Sequence, residues 1–141
     1  MNIYFSCSIT GGRQDQGIYQ ALVEALLEDG HEVPTAHLSS ADVMDLEAVI
    51  NPREVYARDT AWVLGCDAMV AEVSTPSHGV GYEIALALVA GKPVICCWRQ
   101  GKPVSKMITG NSSPSLKLAA YSEAEELIAR VRSFLAEALV R

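Results

Sequence analysis

The chain has 141 residues, half of them hydrophobic and only 6% aromatic, with a formal net charge of −6 and no cluster of Lys or Arg. That length suits one compact domain, residues 1–141, with a proper core, and the lack of basic surface argues against nucleic-acid polymers as partners. A small phosphorylated ligand stays open, because backbone amides can hold a phosphate without basic side chains.

Residues 1–9 are too short and too mixed for a signal peptide, and no apolar run reaches membrane-spanning length. A cytoplasmic protein with no membrane partner is expected. Cys7, Cys66, Cys96 and Cys97 show neither CxxC nor Cys/His spacing, and His31, His37 and His78 are scattered. Buried free thiols in a reducing compartment are expected, with no metal site and no cofactor.

Asn2 to Ser8, NIYFSCS, reads as a strand and ends in the loop ITGGR, which carries Gly11 and Gly12. The loop has the position of a phosphate loop but is neither GxGxxG nor a Walker sequence. Asp15 to Asp29 is expected as a helix, with Ile18, Ala21, Leu22, Ala25 and Leu26 at helical spacing and Gly30 as its stop. His31 to Ala36 is expected as a short second strand, at an edge because of Pro34. Ser39 to Ile50 is mixed and acidic, a short helix or an ordered loop. Asn51-Pro52-Arg53-Glu54 starts a helix that runs to about Leu64, with Asn as cap and Pro at the first position. Asp59 falls between Val55 and Val63 on that helix, a carboxylate on an apolar stripe. The plain alternative for Asp59 is a pair with Arg53 or Arg58.

From Asp67 to Trp98 the pattern is strand, loop, helix, strand. Ala68 to Val73 is apolar and β-rich, Ser74 to Gly79 is a loop, Val80 to Ala90 is helical, Gly91 to Pro93 is a stop, and Val94 to Trp98 is a second apolar strand. This is a βαβ unit, for which a right-handed crossover is expected. Glu83 is the only ionisable side chain from Gly79 to Gly91 apart from the Tyr82 phenol. A helix apolar on all sides is expected to be buried, and a carboxylate there is costly unless partnered. Its place near the helix start is expected to keep Glu83 ionised. Ser77, Gly79 and Gly81 leave room for backbone N–H groups to approach a phosphate. One carboxylate beside one anion cradle, at the C-terminal end of a strand, is where an open α/β sheet places its ligand.

Arg99 to Lys117 is a long connection with Gly101, Pro103, Gly110, Pro114 and the serines Ser112, Ser113 and Ser115, a length usually kept for function. Leu116 to Tyr121 is expected as the last strand. Ser122-Glu123-Ala124-Glu125 reads as a capping box opening the final helix, whose stripe is Leu127, Ile128, Val131, Phe134, Leu135 and Ala138. Five strands alternating with helices give a three-layer α/β domain with a mostly parallel sheet.

Three segments in this order, IYFSCSITGGR, YARDTAWVLGCDAMVAEV and SHGVGYE, resemble the nucleoside 2-deoxyribosyltransferase family. Within it, the likeness is to the 2′-deoxynucleoside 5′-monophosphate N-glycosidase branch, and it runs from Ile3 to about Tyr121. The resemblance implies a Rossmann-like, flavodoxin-like fold and a small-molecule nucleotide substrate. It also implies that Glu83 is the nucleophile of the GYE motif, Asp59 the general acid near the leaving base, and Tyr4 the tyrosine that orients the nucleophile. Ser8, Ile9, Thr10, Gly11, Gly12 and Arg13, with Ser77 and Gly79, would contact the nucleotide and its phosphate. Ser115 would reach the phosphate of the neighbouring subunit's site in a homodimer. The chain departs from many relatives at Cys7, where they have Gly, and at Thr10, where they have Arg. The chemistry fits: one carboxylate takes C1′ while another group protonates the base, as in retaining glycosidases with carboxyls about 5–5.5 Å apart.

Overall fold

The computed structural model describes residues 1–9 and 14–140. Four strands, β1 (Ile3–Ser6), β2 (Ala68–Glu72), β3 (Val94–Arg99) and β4 (Leu116–Tyr121), form a parallel sheet in the order β1-β2-β3-β4. The helices are α1 (Gln16–Glu28), α2 (Val43–Ala48), α3 (Pro52–Gly65), α4 (His78–Val89), α5 (Lys106–Thr109) and α6 (Ala124–Leu139). Every residue of β1 and β2 is buried, as expected of a parallel sheet covered on both faces.

Strand alternation divides the core in two. Ile3, Phe5, Val70 and Cys97 pack with α1 and α6 through Leu22, Leu26, Leu127 and Val131. Tyr4, Met69, Ala71 and Cys96 pack on the opposite face with Val63 of α3 and with Val80, Ile84 and Ala87 of α4. All four cysteines are buried thiols outside any disulfide. Among the described residues no helix is long and apolar enough to cross a membrane.

The fifth strand expected at His31–Ala36 does not form. Only one bridge, Asn2 to Glu32, runs along the outer edge of β1. Pro34 has no N–H for a ladder, and the chain turns at Thr35 into a 3₁₀ turn over Ala36–Ser39. The Thr35 hydroxyl then serves the edge in place of a backbone, accepting from Phe5 N–H at 3.0 Å and donating to Phe5 C=O at 2.7 Å.

Both glycine stops hold. Gly30 (φ +81°) and Gly91 (φ +73°) occupy the left-handed position after α1 and α4. In each, the next N–H reaches back to the helix, His31 to Leu26 C=O and Lys92 to Ala87 C=O. The start of α3 is also as expected, with Asn51 Oδ1 accepting from Arg53 N–H at 2.9 Å. The capping box of the last helix is displaced: Glu123 is the cap residue of α6, and Glu126, not Glu125, reaches back to accept from Ser122 N–H. The 39–50 stretch contains both the end of a 3₁₀ turn and α2, and the long 99–117 connection contains α5.

The expectation that the Glu83 helix is buried all round fails. α4 buries only Val80, Ile84 and Ala87, while Val89 is 89% exposed. One face of α4 meets the sheet and α3, which leaves apolar residues on its other side.

Candidate active site

β1 and β2 are neighbours, and their C-terminal ends open onto the crevice where the chain changes face. From β1 the chain leaves through α1 on one face of the sheet and returns to β2 through α3 on the other. Such a switch point is where open α/β sheets bind ligands.

Tyr4 and Ser6 alternate with Ile3 and Phe5 in β1, so their side chains lie on the face covered by α3 and α4. Both are buried, and their hydroxyls lie near enough to Glu83 to favour its charged form, though neither Tyr4 Oη nor Ser6 Oγ completes a hydrogen bond with a described residue. Ser8 follows at the same spacing and is also fully buried. Ile9 is half-buried and packs against the α1/α6 core. Thr10, Gly11, Gly12 and Arg13 lie outside the described residues.

Across from β1, Ser77 caps α4, its Oγ accepting from Val80 N–H. Because the helix begins at His78, Glu83 stands in its second turn rather than the first. The helix dipole acts mainly within the first turn, and Glu83 is not kept acidic. Burial pushes its carboxyl up to about 7, with Asp59's charge adding to the rise, while the hydroxyls of Tyr4 and Ser6 and the Arg58 guanidinium pull it back. The expectation of a helix-start carboxylate held ionised is therefore corrected. Glu83 is half-buried, and its Oε2 is fully buried without a partner among the described residues. The Tyr4 phenol is pushed far up by burial and by the Glu83 charge, so it stays a proton donor.

Gly79 stands beside the Glu83 carboxyl. A Cβ there would stand 3.7 Å from Glu83 Oε1 and 4.0 Å from Ser77 Oγ. Its φ is not positive, so no left-handed backbone calls for a glycine at this position.

Asp59 of α3 is half-buried, and its Oδ1 accepts from Arg58 Nε–H at 2.8 Å. The arginine pairing that the sequence offered as the plain alternative is therefore present. Arg58 also reaches Glu47 Oε1 at 3.0 Å, and His37 Nε2 meets the same oxygen at 2.6 Å. The guanidinium lies 4.9 Å from the centroid of the Trp62 ring. The pairing does not remove Asp59 from the site, since its charge acts on both Glu83 and Tyr4.

Tyr4, Glu83, Asp59, Ser77 and Gly79 thus come together. Ser115 does not. It stands before β4, at the opposite end of the sheet from the Ser77 loop, with its carbonyl accepting from Val94 N–H. Ser6 and Arg58 were not singled out as site residues. Ser6 carried a usable signal, being two residues after Tyr4 in the same strand; Arg58 carried only its adjacency to Asp59. A cavity of about 850 Å³ opens elsewhere: it is a groove between α4 and residues 103–111, lined by Val80, Ile84, Leu88, Val104 and Ile108, with Ser77 and His78 at its rim.

Residues 3–137 match the family described as nucleoside 2-deoxyribosyltransferase. The chain is 42% identical over 129 residues to the 5-hydroxymethyl-dUMP N-hydrolase of Danio rerio, covering 89% of this chain and 90% of that protein. It is 39% identical over 129 residues to the Mus musculus protein of the same name, covering 89% and 73%. The solved CMP N-glycosidase of Clostridium botulinum superposes with a TM-score of 0.71 over 94% of this chain and 98% of that one, at 20% identity, a likeness of fold. By its match over nearly the whole length, and by its identity with these relatives, the chain belongs to the nucleoside 2-deoxyribosyltransferase family.

Proposed function

We propose that the protein hydrolyses the N-glycosidic bond of 2′-deoxynucleoside 5′-monophosphates, releasing the free base and 2-deoxyribose 5-phosphate. The observation that carries this reading is Glu83, a carboxyl poised at about 7 in the crevice between β1 and β2, with Tyr4 and Ser6 over it and the Asp59 charge beside it. Two carboxylates in one crevice are what glycoside cleavage with a covalent intermediate needs. The N-hydrolase names of relatives at about 40% identity support the same bond and a phosphorylated substrate.

In this mechanism a Glu83 oxygen attacks C1′. The C1′–N bonding pair leaves with the base, and Asp59, which enters this step as the protonated acid, delivers its proton to the base. Water then attacks C1′ of the glycosyl-enzyme, giving its proton to Asp59 and freeing the Glu83 carboxylate. Tyr4 donates towards the nucleophile and holds its direction. Ser8, Ile9, Ser77 and Gly79, with Thr10, Gly11, Gly12 and Arg13, would form the nucleotide and phosphate cradle.

The active form would be a homodimer in which Ser115 serves the neighbouring site. Its distance from Glu83 along the sheet and the apolar groove beside α4, with Met107 84% exposed near it, support that assignment. Buried thiols outside any disulfide suit a reducing cytoplasm.

Chromatography of a panel of nucleotides and nucleosides tests the reaction. Free base and 2-deoxyribose 5-phosphate in equal amounts are expected. The family match keeps one second reading, base exchange. An excess of a different base should give no new nucleotide; a new nucleotide would make the protein a transferase.

A further inference from the structure

The C-terminal edge of the sheet holds another buried polar assembly, which the proposed chemistry does not use. It lies on the face where Tyr121 packs with α1 and α6, opposite Tyr4. Glu72, the last residue of β2, is 1% exposed. Its Oε1 accepts from Ser74 N–H at 2.6 Å, and its Oε2 accepts from the Ser74 hydroxyl at 3.0 Å and from the Tyr121 phenol. Ser74 Oγ accepts in turn from Arg99 N–H at 2.7 Å. The Arg99 guanidinium pairs with Asp15 Oδ1.

Asp15 is 4% exposed and is the cap residue of α1, its carbonyl accepting from Ile18 and Tyr19 N–H. Its Oδ2 is buried without a partner among the described residues. A second, longer contact runs in parallel, from Thr75 Oγ1 to Gln14 Oε1 at 3.4 Å. The start of α1 is thus tied through Arg99 to Ser74, the first residue of the loop that ends at Ser77 and the start of α4.

A buried carboxylate is costly, and an apolar filling of the same space is often as stable. What this assembly adds is geometry. The N-terminus of a helix is a natural site for a phosphate, and two such termini serve one phosphate only when their separation is fixed. Small misplacements of binding groups are expensive.

We infer that Arg99 and Asp15, backed by Ser74 and Glu72, are positioning residues that lock the start of α1 to the β2–α4 loop and so set the affinity for the substrate's 5′-phosphate. None of the four need touch the substrate. The inference rests on the reading of a phosphorylated nucleotide as ligand, and goes beyond it in naming what builds the grip.

The test is calorimetric binding to Glu83→Gln protein, which should not turn ligand over, using the four 2′-deoxynucleoside 5′-monophosphates and their nucleosides. Arg99→Gln and Asp15→Asn, each added to that protein, should weaken nucleotide binding by about tenfold, since a small misplacement of the groups that hold the phosphate is costly. Nucleoside binding should stay within about twofold. Arg99→Lys should recover part of the loss, since it keeps the charge but not the planar fork. The Asp15 side chain makes no cap bond to α1, so Asp15→Asn leaves the helix start intact and serves if Arg99→Gln does not fold. Equal weakening of nucleotide and nucleoside would reduce the network to general stability and overturn the inference. Unchanged nucleotide affinity in both variants, or a parent protein that binds both ligands alike, would overturn it too. The two readings fail separately. Phosphate-selective binding in a wild-type protein that cleaves nothing would defeat the hydrolase reading alone. Cleavage with an unaltered nucleotide KM in Arg99→Gln would defeat the coupling alone.

Discussion

At Glu83 the demands of folding and of chemistry conflict. Its carboxyl rises from 4.5 to about 7, chiefly through burial. A group raised in this way stabilises the fold fully below its unfolded value, and that contribution is lost as the pH passes through the folded value. Glu83→Gln has no such loss. Its melting temperature should therefore match wild type near pH 4 and exceed it by several degrees near pH 8, on the order of 3 kcal/mol. Turnover should fall by orders of magnitude while ligand binding survives. A folded Glu83→Gln protein with near-normal activity would sink the nucleophile assignment. In wild type, kcat/KM should rise with pH through about 7, as the nucleophile ionises. The Tyr4 and Ser6 hydroxyls hold that value down, so Ser6→Ala should move the acid limb to higher pH, by about half a unit. Tyr4→Phe should move it further. A limb that stays in place in Ser6→Ala would show that this hydroxyl does not reach the carboxylate.

Two elements, α3 and α4, carry the facing groups, and each makes its own prediction. Asp59 on α3 is paired with Arg58, so loss of activity in Asp59→Asn could arise from stability or from proton delivery. Leaving groups separate these. General acid catalysis is worth about 10²–10⁴-fold, and Asp59→Asn should lose that much with purine nucleotides. A deoxyribose phosphate with a nitrophenolate leaving group departs unprotonated and should be cleaved almost as fast as by wild type. Equal loss on both would remove Asp59 from the acid role. At the start of α4, Gly79→Ala fits without backbone strain but sets a methyl 3.7 Å from Glu83 Oε1. Ala should favour the helix by up to about 1 kcal/mol. The expected result is unchanged or raised stability by thermal melt with a lower kcat/KM. Full activity in Gly79→Ala would mean that substrate does not approach the carboxylate from that side.

At the scale of the whole molecule, the apolar side of α4 and the distance of Ser115 from Glu83 are the two features that the proposed homodimer would use. Val89 and Met107 are almost fully exposed, and the groove between α4 and residues 103–111 is open. Light scattering should give a dimer. Glu83→Gln and Ser115→Ala subunits, each inactive or weak, should regain activity on mixing, because one hybrid site then has its own Glu83 and the partner's intact serine. A monomer at working concentration, or no recovery on mixing, would confine the site to one chain.

Local signals in the chain set much of this architecture. Alternation and buried runs placed β1 to β4, Asn51-Pro52 started α3, and Gly30 and Gly91 ended their helices, because those effects act within a few residues. The lone carboxylate of α4 and the carboxylate on α3 were visible for the same reason: each breaks a short-range pattern. Three-dimensional packing decided the rest. It let the Thr35 hydroxyl replace a fifth strand, moved the start of α4 so that Glu83 left the dipole's reach, and left one side of α4 uncovered. It also set Ser6 beside Glu83 and joined Glu72, Ser74, Arg99 and Asp15 into one network. Desolvation and hydrogen bonding depend on atoms brought together from distant positions, and no window along the chain contains them.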